Sequence, residues 1–127
     1  VVNGGNGTTR EVSVRALDEI LVGTTPVLIK LDVEGYEPQV LAGARDTLRR
    51  SSLLAVITET ADSEIRSIMA SAGFVCAIYS PFERTIATTP EASNDLPVSN
   101  NTLFIRLNRL GDRIEKAAHR NIAGVSV

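Results

Sequence analysis

Three acidic residues stand together where an apolar segment ends and a turn begins. Residues 27–33 read Val-Leu-Ile-Lys-Leu-Asp-Val and are followed by Glu-Gly-Tyr-Glu, so Asp32, Glu34 and Glu37 fall within six positions. Carboxylates can take a proton from a substrate, hold a polar substrate, or bind a hard cation through oxygen. An acid at the end of an apolar strand is costly unless it is solvated, paired or used. The spacing alone fits a structural role equally well, because negative charge is favourable where a helix begins.

Alternating strands and helices must position these acids. Residues 27–33 form a nearly continuous apolar run between turn residues, which predicts a strand buried on both faces. Pro38 then opens a predicted helix whose apolar residues recur at helical spacing through Leu48. Residues 53–58 predict a second buried strand, which ends at Glu59. Ligands bind beyond the carboxyl ends of the strands in an open parallel sheet, so the acids of the first turn are expected at that edge.

The rest of the chain continues this alternation. The further predicted elements are a half-exposed strand over 11–15, a helix over 16–21, a helix that starts at an Asp62 or Ser63 cap and stops at Gly73, strands over 74–79, 84–87 and 102–107, and a helix over 112–120. Residues 88–101 predict a long surface loop. The order predicts an α/β fold, with a mostly parallel sheet, helices packed over it and an antiparallel strand near the C-terminus.

The residues around the acidic turn resemble those of FkbM-type methyltransferases. The matching segments are Arg15-Ala16-Leu17-Asp18, Ile29 through Glu37, Val40-Leu41-Ala42-Gly43-Ala44, Thr47-Leu48, Glu59 after the next strand, and Asn101 before a late apolar strand. The resemblance implies a partial Rossmann-like class I fold that transfers methyl from S-adenosylmethionine to a hydroxyl oxygen on a small molecule or sugar. It implies that Asp32 and Glu34 are catalytic residues near the transferred methyl. It also implies that Tyr36, Glu37 and Glu59 bind the substrate.

The residues that would hold the cofactor are not matched. The family's cofactor site begins with a strand, a glycine-rich turn and a helix, whereas residues 1–10 contain glycines without a preceding apolar strand. Residues 1–10 are therefore predicted to be a flexible linker. Residues 11–108 are predicted to be the carboxyl-terminal portion of the domain, on the 4-5-7-6 side of a 3-2-1-4-5-7-6 sheet, and 109–127 a helix and tail. The parent protein is expected to be an S-adenosylmethionine-dependent methyltransferase, and this chain alone to be inactive.

Composition argues against several other classes of protein. A net charge of -2 with scattered basic residues gives no positive field for nucleic acid, and no apolar run approaches the roughly 20 residues that span a membrane. A cytoplasmic protein is expected. The single cysteine, Cys76, excludes an internal disulfide and a multi-cysteine metal site, and no metal site is predicted. The single histidine, His119, is interpreted as a solvated helix residue rather than a base.

Two other function classes are kept as alternatives. In the first, the chain is a non-catalytic interaction module, and residues 27–33 form an exposed apolar sheet edge through which two copies make a homodimer. In the second, it is a divalent-metal hydrolase or phosphotransferase that uses Asp32, Glu34 and Glu37. The second ranks lower, because the sequence has no phosphate-gripping loop or basic counterpart.

Overall fold

One mixed sheet organises the part of the chain that the computed structural model describes, which is residues 11–80, 85–88, 101–114, 121–122 and 125–126. Its strands are β1 (Leu28–Lys30), β2 (Ala55–Thr58), β3 (Val75–Ser80), β4 (Thr85–Thr88) and β5 (Thr102–Ile105). The helices are α1 (Leu17–Ile20), α2 (Glu37–Ala42), α3 (Arg45–Arg49), α4 (Ser63–Ser71) and α5 (Leu107–Ile114). Two short strands, β6 (Asn121–Ile122) and β7 (Val125–Ser126), pair separately.

The order of strands in the sheet is β1-β2-β5-β3-β4. β1 and β2 are parallel, whereas β5 is antiparallel to both β2 and β3, and β4 is antiparallel to β3. The mixed α/β architecture and the antiparallel strand late in the chain confirm the prediction. β1, β2 and β3 run in the same direction, as expected for a parallel sheet. However, β5 lies between β2 and β3, so one of the four pairs of neighbouring strands in this sheet is parallel and three are antiparallel.

The core lies where α2, α3 and α4 cover the sheet. The buried apolar side chains come from every one of these elements: Leu41 and Leu48 from α2 and α3, Ile65 and Met69 from α4, Val56 from β2 and Phe104 from β5. Burying a side chain of this size contributes about 1.5–3 kcal/mol. In the described part of the chain, no helix has both the length and the apolarity that crossing a membrane requires.

β1 is shorter and more exposed than its sequence predicted. The strand covers three residues instead of 27–33, and Val27 and Leu28 are 56% and 55% exposed. The expectation of a strand buried on both faces was wrong for this structure. β1 is the last strand on its side of the described sheet, so it has a neighbour on one side only. Leu31, just beyond the strand, is buried in the core.

The long helix predicted after Pro38 is two helices, α2 and α3, separated at Gly43. The backbone N–H of Asp18 donates to the Gly43 carbonyl at 2.9 Å, which ties α1 to this break. The Asp18 carboxylate accepts hydrogen bonds from the backbone N–H groups of Asp46 at 3.0 Å and Thr47 at 2.7 Å. Asp18 therefore caps the start of α3 from a distant part of the chain, and periodicity within the helix could not reveal it.

Other boundaries agree in part with prediction. Asp62 caps α4 by accepting from the Ile65 N–H at 2.8 Å, and Gly73, with a φ of 83°, ends that region as expected. The strand predicted over 11–15 is not formed, because this segment pairs with no described strand. The terminal helix begins at Leu107 rather than 112.

Several predictions concern residues that are not described. Residues 115–120, with His119, lie outside the described part of the chain, as do residues 89–100 of the predicted loop. The pairing of β6 with β7 was not predicted.

Replacing Asp18 with alanine should destabilise the fold by about 1–2 kcal/mol, since α3 loses the acceptor for two backbone donors. Burial by itself would raise the pKa of the Asp18 carboxyl, but hydrogen bonds from Thr47 and Asp46 and the charge of Arg50 outweigh it and hold the pKa below its ordinary value. The stabilising effect is therefore complete above the unfolded pKa of about 3.9 and is lost as the pH falls through the lower folded pKa. Urea unfolding at several pH values measures both effects.

The matched control for Asp18 is Glu19→Ala on the same helix. Glu19 forms an exposed ion pair with Arg15, whose Nε lies 3.4 Å from the Glu19 carboxylate. Exposed pairs of this kind contribute about 0–1 kcal/mol. Equal losses for the Asp18 and Glu19 variants would contradict the capping role.

A candidate acidic site at the ends of two parallel strands

The parallel pairing of β1 with β2 brings two acids to one edge of the sheet. Lys30 lies opposite Ile57, and the Leu31 N–H donates to the Ile57 carbonyl at 2.8 Å, which extends the pairing past β1. The same register carried two residues further sets Asp32 level with Glu59. Because the carboxyl ends of both strands meet at this edge, the two side chains become neighbours although they are far apart in sequence.

Lys30 and Asp32 are joined by an ion pair in which the Lys30 Nζ lies 2.8 Å from Asp32 Oδ2. The hydrogen bond from Lys30, together with its charge, holds the pKa of the Asp32 carboxyl below its ordinary value. The same hydrogen bond raises the pKa of Lys30. Residues two apart on an extended segment project to the same side, and this signal could have identified Lys30 as a member of the site.

The pKa of the Glu59 carboxyl is shifted in the opposite direction, above its ordinary value. The charge of Asp32 raises the pKa of Glu59, and partial burial, a hydrogen bond with Asp32 and the charge of Glu37 add to the effect. As the pH falls, Glu59 therefore takes up a proton before Asp32 does. The pair combines one carboxylate that stays ionised with one carboxyl that holds a proton more readily, an arrangement that suits proton transfer and hydrogen bonding to a hydroxyl.

Glu37, the first residue of α2, is completely buried. Neither of its carboxylate oxygens has a hydrogen-bond partner among the residues that the structure describes. A buried polar group is normally hydrogen-bonded, so this carboxyl is exceptional. Because Glu37 does not face open solvent, a substrate could contact it directly, as predicted, only after a change of conformation.

The turn between β1 and α2 holds the other two predicted site residues. Glu34 has a φ of 48° and Gly35 a φ of 93°, and the Tyr36 N–H donates to the Val33 carbonyl at 3.2 Å, as in a tight turn of two left-handed residues. Glu34 and Tyr36 are both exposed. Among the described residues, no hydrogen bond or ion pair joins either of them to Asp32 or Glu59. The structure thus brings Asp32, Glu59 and Glu37 together, and leaves Glu34 and Tyr36 on the outside of the turn.

Neither a metal-binding cluster nor a groove between the helices offers a competing site in the part of the chain that the structure describes. Within the described ranges, no group of three or more His, Cys, Asp or Glu side chains has an arrangement that could hold a metal ion. A groove of about 380 Å³ lies between α2, α3 and α4, lined by Leu41, Leu48 and Ile68 and by charged residues such as Arg45. It includes none of the predicted site residues. The acidic edge is therefore the stronger candidate for chemistry.

Comparison with known families identifies the family of this chain. The profile of the methyltransferase FkbM domain matches residues 2–76, which is more than half of the chain. The matched range contains Asp32, Glu37 and Glu59, runs through α4 and ends within β3. No curated protein and no solved structure matches the chain significantly.

Proposed function

The chain belongs to the FkbM methyltransferase family, and we propose that it provides the acceptor-facing, acidic edge of an S-adenosylmethionine-dependent O-methyltransferase. The proposed acceptor is a hydroxyl group on a small molecule or sugar. The observation that carries this proposal is the pairing of Asp32 with Glu59 at the carboxyl edge of β1 and β2, with Lys30 keeping Asp32 ionised. The strand order β1-β2-β5-β3 supports a partial class I fold, because it has the 4-5-7-6 arrangement.

In this proposal Asp32 is the catalytic base. Its carboxylate accepts a hydrogen bond from the acceptor hydroxyl and takes the proton as that oxygen becomes nucleophilic, so the O–H bond breaks and a new bond forms between the proton and a carboxylate oxygen. Glu59, which holds a proton more readily, donates or accepts a second hydrogen bond that orients the acceptor. Positioning of this kind is the larger part of what a protein adds to an in-line displacement. When bound, S-adenosylmethionine supplies an electrophilic methyl group.

The described residues do not fit the cofactor on their own. Ahead of β1 the described residues form a segment without helix or strand and the short helix α1, and they include no strand followed by a glycine-rich turn and a helix. We therefore propose that the isolated chain is inactive. We also propose a cytoplasmic location, which the presence of a single cysteine, Cys76, favours.

Calorimetric titration of this 127-residue chain with S-adenosylhomocysteine is expected to show no saturable binding, with Asp32→Ala as the matched variant. The physical reason is that the backbone donors of a glycine-rich turn and a ribose-binding acid, which hold such a cofactor, are not found among the described residues. Saturable binding that weakens in Asp32→Ala would contradict the proposed inactivity. It would place the acidic edge within a working cofactor site.

The exposure of Val27 and Leu28 favours a second candidate, a strand-edge interaction module. A sheet edge with exposed apolar side chains and unpaired backbone groups readily pairs with another strand. A homodimer through β1 would elute from a sizing column near twice the mass of the monomer. Such a mass, with no methyl transfer by the full-length protein, would favour this candidate over the enzyme.

A further inference from the structure

The acidic site contains more carboxyl groups than nearby cations. Glu59 interacts electrostatically with both Asp32 and Glu37, and Lys30 is the one cation that acts on Asp32 and Glu59 among the residues the structure describes. Three carboxyl groups beside one ammonium leave a formal excess of negative charge. An acidic cluster alone is common on protein surfaces, so a second observation has to indicate a ligand.

That second observation is the unpaired, wholly buried carboxyl of Glu37. Both of its oxygens lack a hydrogen-bond donor among the described residues, although burying a carboxyl without a partner is costly. Glu37 begins α2 directly after the turn that leaves β1, at the sheet edge where β1 and β2 end, and its charge contributes to the raised pKa of Glu59. Because Glu37 is completely buried, any charge that it carries is weakly screened at the exposed acids of the same edge.

The ion pair between Lys30 and Asp32 shows that an ammonium group fits beside Asp32. The Lys30 Nζ sits 2.8 Å from Asp32 Oδ2, and both groups are about half exposed, so a side chain on a flexible stem already places an ammonium at this edge. An ammonium carries three donors, enough to bond Asp32 and Glu59 at once. Hydrogen bonds between an ammonium and a carboxylate are stronger than neutral ones.

From these contacts we infer that the site binds a ligand ammonium group in place of, or beside, that of Lys30. On the proposed function, which this inference deepens, the methyl acceptor is an amino alcohol or amino sugar whose ammonium lies next to the hydroxyl that is methylated. The ammonium selects the acceptor and orients it, and Asp32 serves the hydroxyl.

The test is a nuclear magnetic resonance titration of the full 127-residue chain with D-glucosamine and, separately, with D-glucose, following the backbone amide signals of Gly35 and Glu59. The two sugars differ in one ammonium against one hydroxyl, so they separate recognition of charge from recognition of hydroxyl groups. Glucosamine is expected to bind at least about tenfold more tightly, and its binding to weaken with salt. Equal binding of the two sugars, or no binding of either, would overturn the inference.

Variants assign the effect to the named residues. Lys30→Gln removes the internal competitor at an exposed position and should tighten glucosamine binding about threefold or more. Glu37→Gln should weaken it by a similar factor, while Glu64→Gln, the same change at an exposed position on α4, should leave it unchanged. If Glu37→Gln does not fold, the Lys30→Gln result decides, because looser binding in that variant contradicts the inference.

The source of the ammonium is also tested. S-adenosylhomocysteine has an ammonium group of its own, and displacement of glucosamine by it would assign the site to the cofactor instead of the acceptor. Failure of the inference remains distinct from failure of the proposed function. If the full-length protein transfers methyl groups but the chain shows no preference for glucosamine, the inference alone is contradicted. If the chain prefers glucosamine but the full-length protein transfers no methyl group, the proposed function is contradicted.

Discussion

Replacing Asp32 with asparagine is expected to lower methyl transfer by the full-length protein about 10²–10⁴-fold, the range that a positioned general base contributes. Asparagine keeps the size of the side chain and can still accept a hydrogen bond, but it cannot take the proton of the acceptor hydroxyl. The loss should therefore fall mainly on kcat, with a smaller change in KM. Transfer of a radiolabelled methyl group from S-adenosylmethionine to hydroxylated acceptors measures it.

The control for Asp32 is Asp46→Asn, which makes the same change on α3. Asp46 is exposed, and its carboxylate lies 3.9 Å from Arg49 in a weak ion pair. This variant should keep its activity. If Asp32→Asn also kept nearly full activity, Asp32 could not be the base, and the acidic edge would be structural.

The dependence of this activity on pH gives a second measure of the same arrangement. The Lys30 hydrogen bond lowers the pKa of Asp32, so the base stays ionised as the pH falls. Lys30→Gln removes that bond, which raises the pKa of Asp32 and shifts the acid limb of the pH–rate profile to higher pH. An unmoved acid limb would show that Asp32 ionisation does not control the rate.

Replacing Arg106 with methionine is expected to destabilise the fold by about 2–3 kcal/mol. The guanidinium donates to the carbonyls of Leu48 at 2.6 Å and Leu53 at 3.0 Å, and it lies 4.4 Å from the centre of the Phe74 ring. The Arg106 side chain, which directly follows β5, therefore connects β5 to the end of α3 and to the residues that precede β2 and β3. Methionine would fill the space but leave both carbonyls without their charged donor. The midpoint of urea unfolding reports the loss.

Arg109→Met provides the matched control for Arg106. Arg109 is exposed, and the one described hydrogen bond of its side chain, to the Ser51 carbonyl, is long at 3.4 Å. Its replacement should change stability by less than about 0.5 kcal/mol. Burial, with a smaller effect from the charge of Arg109, lowers the pKa of Arg106. Arg106 still stays protonated at physiological pH, so its contribution should not vary there. Equal losses of stability in the Arg106 and Arg109 variants would contradict the role of Arg106 in holding these segments together.

Local signals in the sequence identified most of the strands and helices. The apolar run of β2 and the Asp62 cap with the Gly73 stop of α4 depend on neighbours in the chain, and the structure confirms them. Predictions failed where a distant segment decides the outcome. Periodicity alone continued the helix through Gly43, and the break comes from Asp18, which lies more than twenty residues earlier.

Burial was harder to predict than the presence of an element. The apolar run around β1 is typical of a central strand, yet Leu28 is half exposed, because no described strand lies on its outer side. The same composition can occupy the centre or the edge of a sheet, since composition records what a strand can bury and not what covers it. Arg106 is a related case, because nothing near it in sequence shows that it would bond carbonyls more than fifty residues away.

The sequence by itself determined the family, the alternation of strands and helices, and the acids that could carry chemistry, because these depend on residue types at short spacing. Only the tertiary structure decided which acids meet. The register of β1 with β2 sets Asp32 beside Glu59, and the left-handed turn leaves Glu34 and Tyr36 outside. At the start of α2, Glu37 is buried with no hydrogen-bond partner among the described residues. The electrostatic character of each carboxyl then follows from its neighbours and its burial, and these are properties of the folded chain rather than of the residue.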